Sequence, residues 1–200
     1  MFKHQKMTIR IFAALLLLVC TQTLFAQKNY STTSAQVRFI AQDDSDIDAV
    51  NKAAVCRLQS NGDLSFIMLI KDFKFEMADM QKHFNEEYME TDKFPRAFFN
   101  GKITNFNTVN FLKDGKYPIN VTGVMQVHGV NKTMETTGII EIKAGVPKAS
   151  AQFVVRLKDF KIGGILIKFV ADEMNIDVVA AFSNCYTPVP NSPFLLLPPY

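Results

Sequence analysis

Apolar and polar residues alternate with a period of two along most of the chain, which is the pattern of β-strands rather than of helices. Short connections such as Asn61-Gly62-Asp63 and Lys143-Ala144-Gly145 carry residues that favour turns. Connections of this length join antiparallel neighbours, because parallel strands need a crossover of a dozen or more residues. The pattern predicts a mainly β, antiparallel protein, with its clearest strands at 64–70, 97–103, 121–127, 151–157 and 176–182.

One segment departs from this alternation and predicts a short amphipathic helix. Met77, Met80, Phe84 and Tyr88 recur at spacings of three and four residues, which places them on a single helical stripe. Pro95 ends the segment, because the residue before a proline is biased toward an extended backbone. The helix is therefore expected to lead directly into the next strand.

An apolar sheet face with so few helices to cover it favours closure into a barrel of about eight strands. Such an interior is either filled by side chains or wide enough for one small ligand. Phenylalanine and methionine need no ligand as ordinary core residues, but as a pocket lining they suit a flexible hydrocarbon, and the pattern leaves both interpretations open. Small inward residues that interleave with them favour free space, namely Ala97, Gly101, Gly123, Ala151 and Ala180.

The N-terminal segment has the organisation of a signal peptide. Lys3, Lys6 and Arg10 precede the apolar run 11–20, and the small residue Ala26 ends the segment. The run is too short for a permanent membrane span. We expect cleavage after Ala26 and a periplasmic or secreted mature protein.

The mature chain is expected to form one domain over residues 27–186, followed by a Pro-rich apolar tail at 187–200. The tail holds five of the eight prolines and is expected to lie outside the sheet, because proline lacks the N–H that a β-ladder needs. Packing of the tail on the barrel and disorder remain equal alternatives.

The charge balance gives no reason to expect a nucleic acid as partner. The full chain has 22 Lys plus Arg and 19 Asp plus Glu, and three of the basic residues belong to the signal segment. The mature chain therefore carries 19 of each sign, without a basic cluster. Cys56 and Cys185 could pair in an oxidising compartment or be separately buried thiols.

Motifs for catalysis or cofactor binding are absent from the sequence. His83 and His128 have no spacing to a nucleophile or a metal ligand that would form a known site. Glu86 and Glu87 are better interpreted as the solvated face of the predicted helix. We expect no enzymatic activity, no cofactor and no metal.

Three stretches resemble the YceI-like family, and the similarity as a whole covers roughly residues 30–183. The first has His83-Phe84-Asn85, Tyr88-Met89-Glu90, Phe94-Pro95 and Gly101-Lys102-Ile103. The second is Val127-His128-Gly129-Val130 with Lys132, and the third runs from Phe153 to Phe160. The resemblance implies a lipocalin-like antiparallel barrel, exported to the periplasm, that holds a long-chain isoprenoid or fatty-acid-type lipid and performs no catalysis.

The expected function is therefore to carry or sequester a long apolar lipid inside the barrel. The alternative is a self-filled barrel that acts as an interaction or structural protein through its surface or tail. Polar contacts to a lipid headgroup are expected from His128 and Lys132, while the oligomeric state, including a homodimer, stays open. The phase of the strands predicts the lipid-binding residues Phe66, Met68, Phe99, Met125, Phe153 and Phe182.

Overall fold

The computed structural model describes residues 29–42, 47–163 and 172–185. The predicted signal segment 1–26 and the tail 187–200 lie outside these residues. The described chain forms nine β-strands: β1 Asn29–Ala41, β2 Asp48–Leu58, β3 Asp63–Leu69, β4 Arg96–Ile103, β5 Gly115–Val127, β6 Val130–Lys143, β7 Val146–Arg156, β8 Glu173–Ala181 and β9 Ser183–Cys185.

The strands form one antiparallel sheet that closes on itself. Each strand from β2 to β7 pairs with its successor, and β1 pairs with both β2 and β8. β9 continues the β8 side of the wall, because it pairs with residues 29–31 of β1 while β8 pairs with residues 36–41. The predicted antiparallel barrel of eight strands is therefore confirmed.

Two hairpins of the wall have two-residue turns whose backbone matches the twist of the strands. His128 and Gly129 join β5 to β6 with φ of 50° and 72°, and Ala144 and Gly145 join β6 to β7 with φ of 51° and 74°. Positive φ at both central positions is the type I′ requirement. We call the barrel end with the His128-Gly129 turn the upper end, and the opposite end the lower end.

The predicted helix is present between β3 and β4, at the upper end. It comprises α1 (Ala78–His83) and one π-helical turn, Phe84–Tyr88. Phe84 and Tyr88 pack against the core as expected. Met77 does not, because it lies at the N-cap with an extended backbone, outside the helical stripe, and is 52% exposed.

Aromatic side chains fill the lower end of the barrel. Tyr30 stacks on Phe111 with ring centroids 5.1 Å apart, and Phe106 lies 5.5 Å from Phe111. Phe106 and Phe111 come from the connection between β4 and β5, which folds back under the barrel. We call this group, with Phe182, the lower aromatic cluster.

Candidate functional site

Above the lower aromatic cluster, the barrel interior contains a cavity of about 620 Å³. This volume falls within the range of small-molecule sites. All eight barrel strands and α1 contribute to its border, and the great majority of the lining side chains are aliphatic or aromatic. The polar exceptions are His83, Glu87, Tyr88, Thr136 and Ser150.

Five of the six predicted lining residues border this cavity. Phe66, Phe99 and Met125 form a continuous row, because Phe66 is the cross-strand partner of Phe99 and Phe99 that of Met125. Met68 lies two residues beyond Phe66 on β3, and Phe153 borders the cavity from β7.

Phe182 lies elsewhere and belongs to the lower aromatic cluster. It is 3% exposed, with its ring centroid 6.3 Å from that of Tyr30. It has the same phase as the cavity-lining Val178 and Ala180 but follows the end of β8. The expectation that Phe182 lines the cavity is therefore corrected, because its height along the barrel places it in the filled end.

Two glycines make room for the ring of Phe99. Gly101 and Gly123 are cross-strand partners on β4 and β5. A Cβ added at either position would lie 2.5 or 2.6 Å from the Phe99 ring. The ring therefore lies close over these two residues, where only glycine leaves space for it.

Cys56 is a buried free thiol at the cavity border. Burial raises the pKa of Cys56 to about 12, because the thiolate would lose its solvation. The thiol thus behaves as a small apolar lining group. The side chain of Cys185 lies outside the described part of the structure.

His128 joins three segments at the upper end instead of facing the cavity. Its Nδ1 lies 3.3 Å from the carbonyl oxygen of Phe160, and its Nε2 lies 3.2 Å from Oε2 of Glu90. The Phe94 ring packs against the imidazole at 4.3 Å. A carbonyl and a carboxylate only accept hydrogen bonds, so each contact requires a proton on the ring nitrogen that faces it.

Glu90 also pairs with Lys93 in the same cluster. Its carboxylate accepts a hydrogen bond from Lys93 as well as the contact from His128. The hydrogen bond from Lys93, together with His128, keeps the pKa of Glu90 below its ordinary value of 4.5. We call His128, Glu90, Lys93 and Phe94 the upper clasp.

Lys132 is exposed on β6 and is not among the residues that border the cavity. It is the cross-strand partner of the cavity-lining Met125, so the alternation places it on the inner face near the upper rim. Of the two residues predicted to contact a headgroup, Lys132 therefore lies on the cavity side of the wall. His128 is held in the upper clasp.

A comparison with known protein families decides the identity of the chain. The model of the YceI-like domain matches residues 22–182. The chain belongs to the YceI-like family. This confirms the resemblance seen in the three sequence stretches.

Two solved structures share the fold of this YceI-like protein. A polyisoprenoid binding domain from Saccharophagus degradans, implicated in plant cell wall breakdown, superposes with a TM-score of 0.68 at 9% identity, covering 80% of this chain and 99% of that one. Burkholderia cenocepacia BcnA superposes with a TM-score of 0.61 at 16% identity, covering 74% and 96%. Among curated proteins, no sequence matches significantly.

Several residues around the cavity of this YceI-like protein were not predicted. Val37 and Phe39 come from β1, whose alternation at 37, 39 and 41 could have revealed them. Phe73 and Phe75 follow β3 in a segment without regular strand structure, and they pack with Phe84 above the cavity. Sequence periodicity carries no signal for such a segment, because its direction depends on the tertiary packing.

The described residues contain no group of three or more His, Cys, Asp or Glu side chains that could hold a metal ion. His83 instead pairs with Glu87 along the helix, at 2.8 Å. None of the helices within the described ranges has the length and apolarity that a membrane span requires.

Proposed function

We propose that this chain is an exported lipid-binding protein that carries or sequesters a polyisoprenoid or another long-chain apolar lipid inside its barrel. The single observation that carries the proposal is the apolar cavity of about 620 Å³. Membership of the YceI-like family and the shared fold with a polyisoprenoid binding domain support the same class of ligand.

Burial of hydrocarbon would supply the affinity. Each CH₂ group removed from water contributes about 0.8 kcal/mol, so ten such groups contribute roughly 8 kcal/mol before the costs of ordering the ligand. The row of Phe66, Phe99 and Met125 offers this surface along one wall. Met68 and Phe153 extend it on β3 and β7.

The alternative of a barrel filled by its own side chains requires the interior to be packed. The lower aromatic cluster has that character, but the space above it does not. An interaction role of residues 187–200 lies outside the described ranges. We therefore place the lipid-binding function first.

Native mass spectrometry of the protein purified from its own host tests the proposal. We expect a mass excess that organic extraction removes and that matches a lipid in the extract. Delipidated protein should then take up an added polyisoprenoid alcohol and a long-chain fatty acid. A ligand-free mass, together with no uptake of either compound, would contradict the proposal.

Export needs a separate measurement, since it rests on the sequence of residues 1–26. We expect the protein in the periplasmic or secreted fraction of its host, with Gln27 as the N-terminal residue. Intact-mass analysis identifies that terminus. A cytoplasmic protein that retains residues 1–26 would contradict export while leaving lipid binding intact.

A further inference from the structure

The barrel wall is not closed over its whole height between β6 and β7. The two strands pair only from Gly138 and Ala151 down to Lys143 and Val146. Above Gly138, residues 130–137 of β6 remain paired with β5, and residues 152–156 of β7 remain paired with β8. No backbone hydrogen bond of the described chain joins these two segments to each other. We call this gap the side window.

The junction of β2 and β3 shows that an interrupted ladder need not leave a gap. Its pairing also stops partway, at Val55 and Ile67. Above that point, the Asn51 side chain donates to the carbonyl oxygen of Leu69 at 2.9 Å. Val50 and Lys74 exchange two backbone hydrogen bonds there, at 3.2 and 3.0 Å. Other polar contacts thus replace the ladder at that junction.

The side window leads into the cavity. Met134 and Thr136 on the β6 side border the cavity, as do Phe153 and Val155 on the β7 side. If the ladder continued in register, Thr136 would face Phe153 and Met134 would face Val155. Since no ladder joins these positions, the gap lies over the cavity border, and all four side chains are only partly buried.

The two ends of the side window are defined by specific contacts. At its lower end, Gly138 approaches β7 so closely that an added Cβ would lie 2.7 Å from the Ser150 carbonyl oxygen. At its upper end, His128 contacts Phe160 in the 3₁₀-helix Leu157–Phe160 that follows β7. The gap is therefore bounded and does not extend over the whole seam.

The outer rim of the side window is mostly polar: Glu135 lies on the outer face of β6, and Gln152 and Arg156 flank Val154 on β7. Val154 is 48% exposed, while Ile139, which is 42% exposed, lies just below the gap in the paired ladder. Val124 on the neighbouring β5 is 44% exposed. The inner border of the gap is apolar apart from Thr136, so a hydrocarbon chain that passes this single layer of residues enters an apolar environment.

We propose that the hydrocarbon chain of the ligand enters and leaves the cavity sideways, through the window between β6 and β7. This inference rests on the proposed lipid-binding function. It assigns the exchange route to the wall of the barrel and not to the helix-covered upper end, where His83 and Glu87 are the polar border.

A crosslink across the side window tests this route. Glu135→Cys and Val154→Cys place two thiols on the outer face of β6 and β7, at positions that would be partners if the ladder continued. The matched control is Glu141→Cys with Lys148→Cys, which lie opposite each other on the same strands within the intact ladder. Cys56→Ala and Cys185→Ser are included in every variant, and a short bis-maleimide forms the crosslink.

The measured quantity is the stopped-flow rate at which each protein takes up cis-parinaric acid, a fluorescent fatty acid. We expect the window crosslink to slow uptake by roughly tenfold or more, because entry would then require a rearrangement of the wall. The control crosslink should leave the rate unchanged. Equal rates for both crosslinked proteins would overturn the side window as the route. Failure of every protein, crosslinked or not, to bind the fatty acid would overturn the proposed function and the route with it.

Hydrogen exchange on the unmodified protein provides a second measurement that does not depend on folding of the variants. Without ligand, amides in 130–137 and 152–156 that point into the window should exchange faster than those of the paired segment 138–143. Addition of the fatty acid should slow this exchange as its hydrocarbon tail fills the gap. Equal protection of these segments without ligand would show a closed wall and contradict the inference.

Discussion

At the scale of single residues, the width of the cavity depends on where the ring of Phe99 lies. Gly101 and Gly123 have no side chains, so the ring stays close to the wall and leaves the lumen open. A Cβ at Gly123 would also lie 2.5 Å from the Asn100 carbonyl oxygen and 2.6 Å from the Gly101 Cα. Both the ring and the pairing of β4 with β5 depend on this position.

Gly123→Ala is therefore expected to push the Phe99 ring into the lumen and to strain the strand pair. We expect a loss of about 1–3 kcal/mol in the free energy of unfolding, together with weaker fatty-acid uptake. Urea unfolding and fluorescence titration measure these effects. Gly115→Ala is the control, since its nearest neighbour would be at an ordinary 3.5 Å. Equal stability and uptake for the two variants would show that the ring is not confined by Gly123.

The chemistry of Cys56 is a second property at this scale. With a pKa of about 12, roughly one thiol in ten thousand is ionised at about pH 8. We expect iodoacetamide to leave Cys56 unmodified in the native protein and to alkylate it after unfolding in urea. Peptide mass spectrometry locates the modification. Rapid alkylation of Cys56 in the native state would mean that the cavity wall opens at this position.

At the scale of elements, the upper clasp connects the segment after the helix, the β5–β6 turn and the 3₁₀-helix after β7. The connections are the contacts of His128 with Glu90 and Phe160. Glu90 and His128 adopt positive φ values of 41° and 50°, which are uncommon for residues other than glycine. Neither backbone conformation would be favoured without the tertiary contacts.

Through Glu90, the upper clasp should make the free energy of unfolding depend on pH in the acid range. The pKa of Glu90 is lower in the folded state than in the unfolded state. The ionised Glu90 therefore stabilises the fold above its unfolded-state pKa, and this stabilisation is lost as the pH falls through the folded-state pKa. We expect Glu90→Gln to lower the stability at neutral pH and to flatten the loss of stability below about pH 4.5. Urea midpoints over a pH series measure both effects.

The exposed carboxylate of Glu135 on β6 provides the comparison for this series. Glu135→Gln should leave the pH profile close to that of the wild-type protein. A Glu90→Gln profile that also coincides with the wild type would show that the clasp contributes no pH-dependent stability.

At the scale of the whole molecule, the barrel separates an apolar interior from a polar exterior through a single layer of residues. Neighbouring residues on one strand therefore face different surroundings. Met68 on β3 borders the cavity, while the following residue, Leu69, is 45% exposed. The pair offers a direct test of this separation.

Met68→Arg would place an unpaired guanidinium in the apolar cavity, at a cost of several kcal/mol. We expect either failure to fold or a folded protein that takes up no fatty acid. Leu69→Arg should fold and bind normally, because its side chain reaches water. Circular dichroism and fluorescence titration measure the two outcomes. Normal uptake by folded Met68→Arg would show that the ligand does not use the cavity.

Many residues of the barrel wall could be predicted because a strand with one buried face must alternate apolar and polar residues. The alternation at 97–103 and 151–157 identified Phe99 and Phe153 as inward residues, and both border the cavity. The helix was found for a similar reason, since Phe84 and Tyr88 recur at the spacing of one helical face. Its start was misplaced by one residue at Met77, where the cap and not the periodicity determines the backbone.

The amino-acid sequence by itself determined the strand pattern, the antiparallel connections and the family, because these depend on neighbouring residues and local motifs. Only the tertiary structure decided how the interior is divided. Phe153 and Phe182 have equivalent inward phases, yet one borders the cavity and the other fills the lower end. A period of two specifies the face of a residue but not its height along the barrel. That height, like the point where β6 and β7 separate, depends on pairing between residues far apart in the chain.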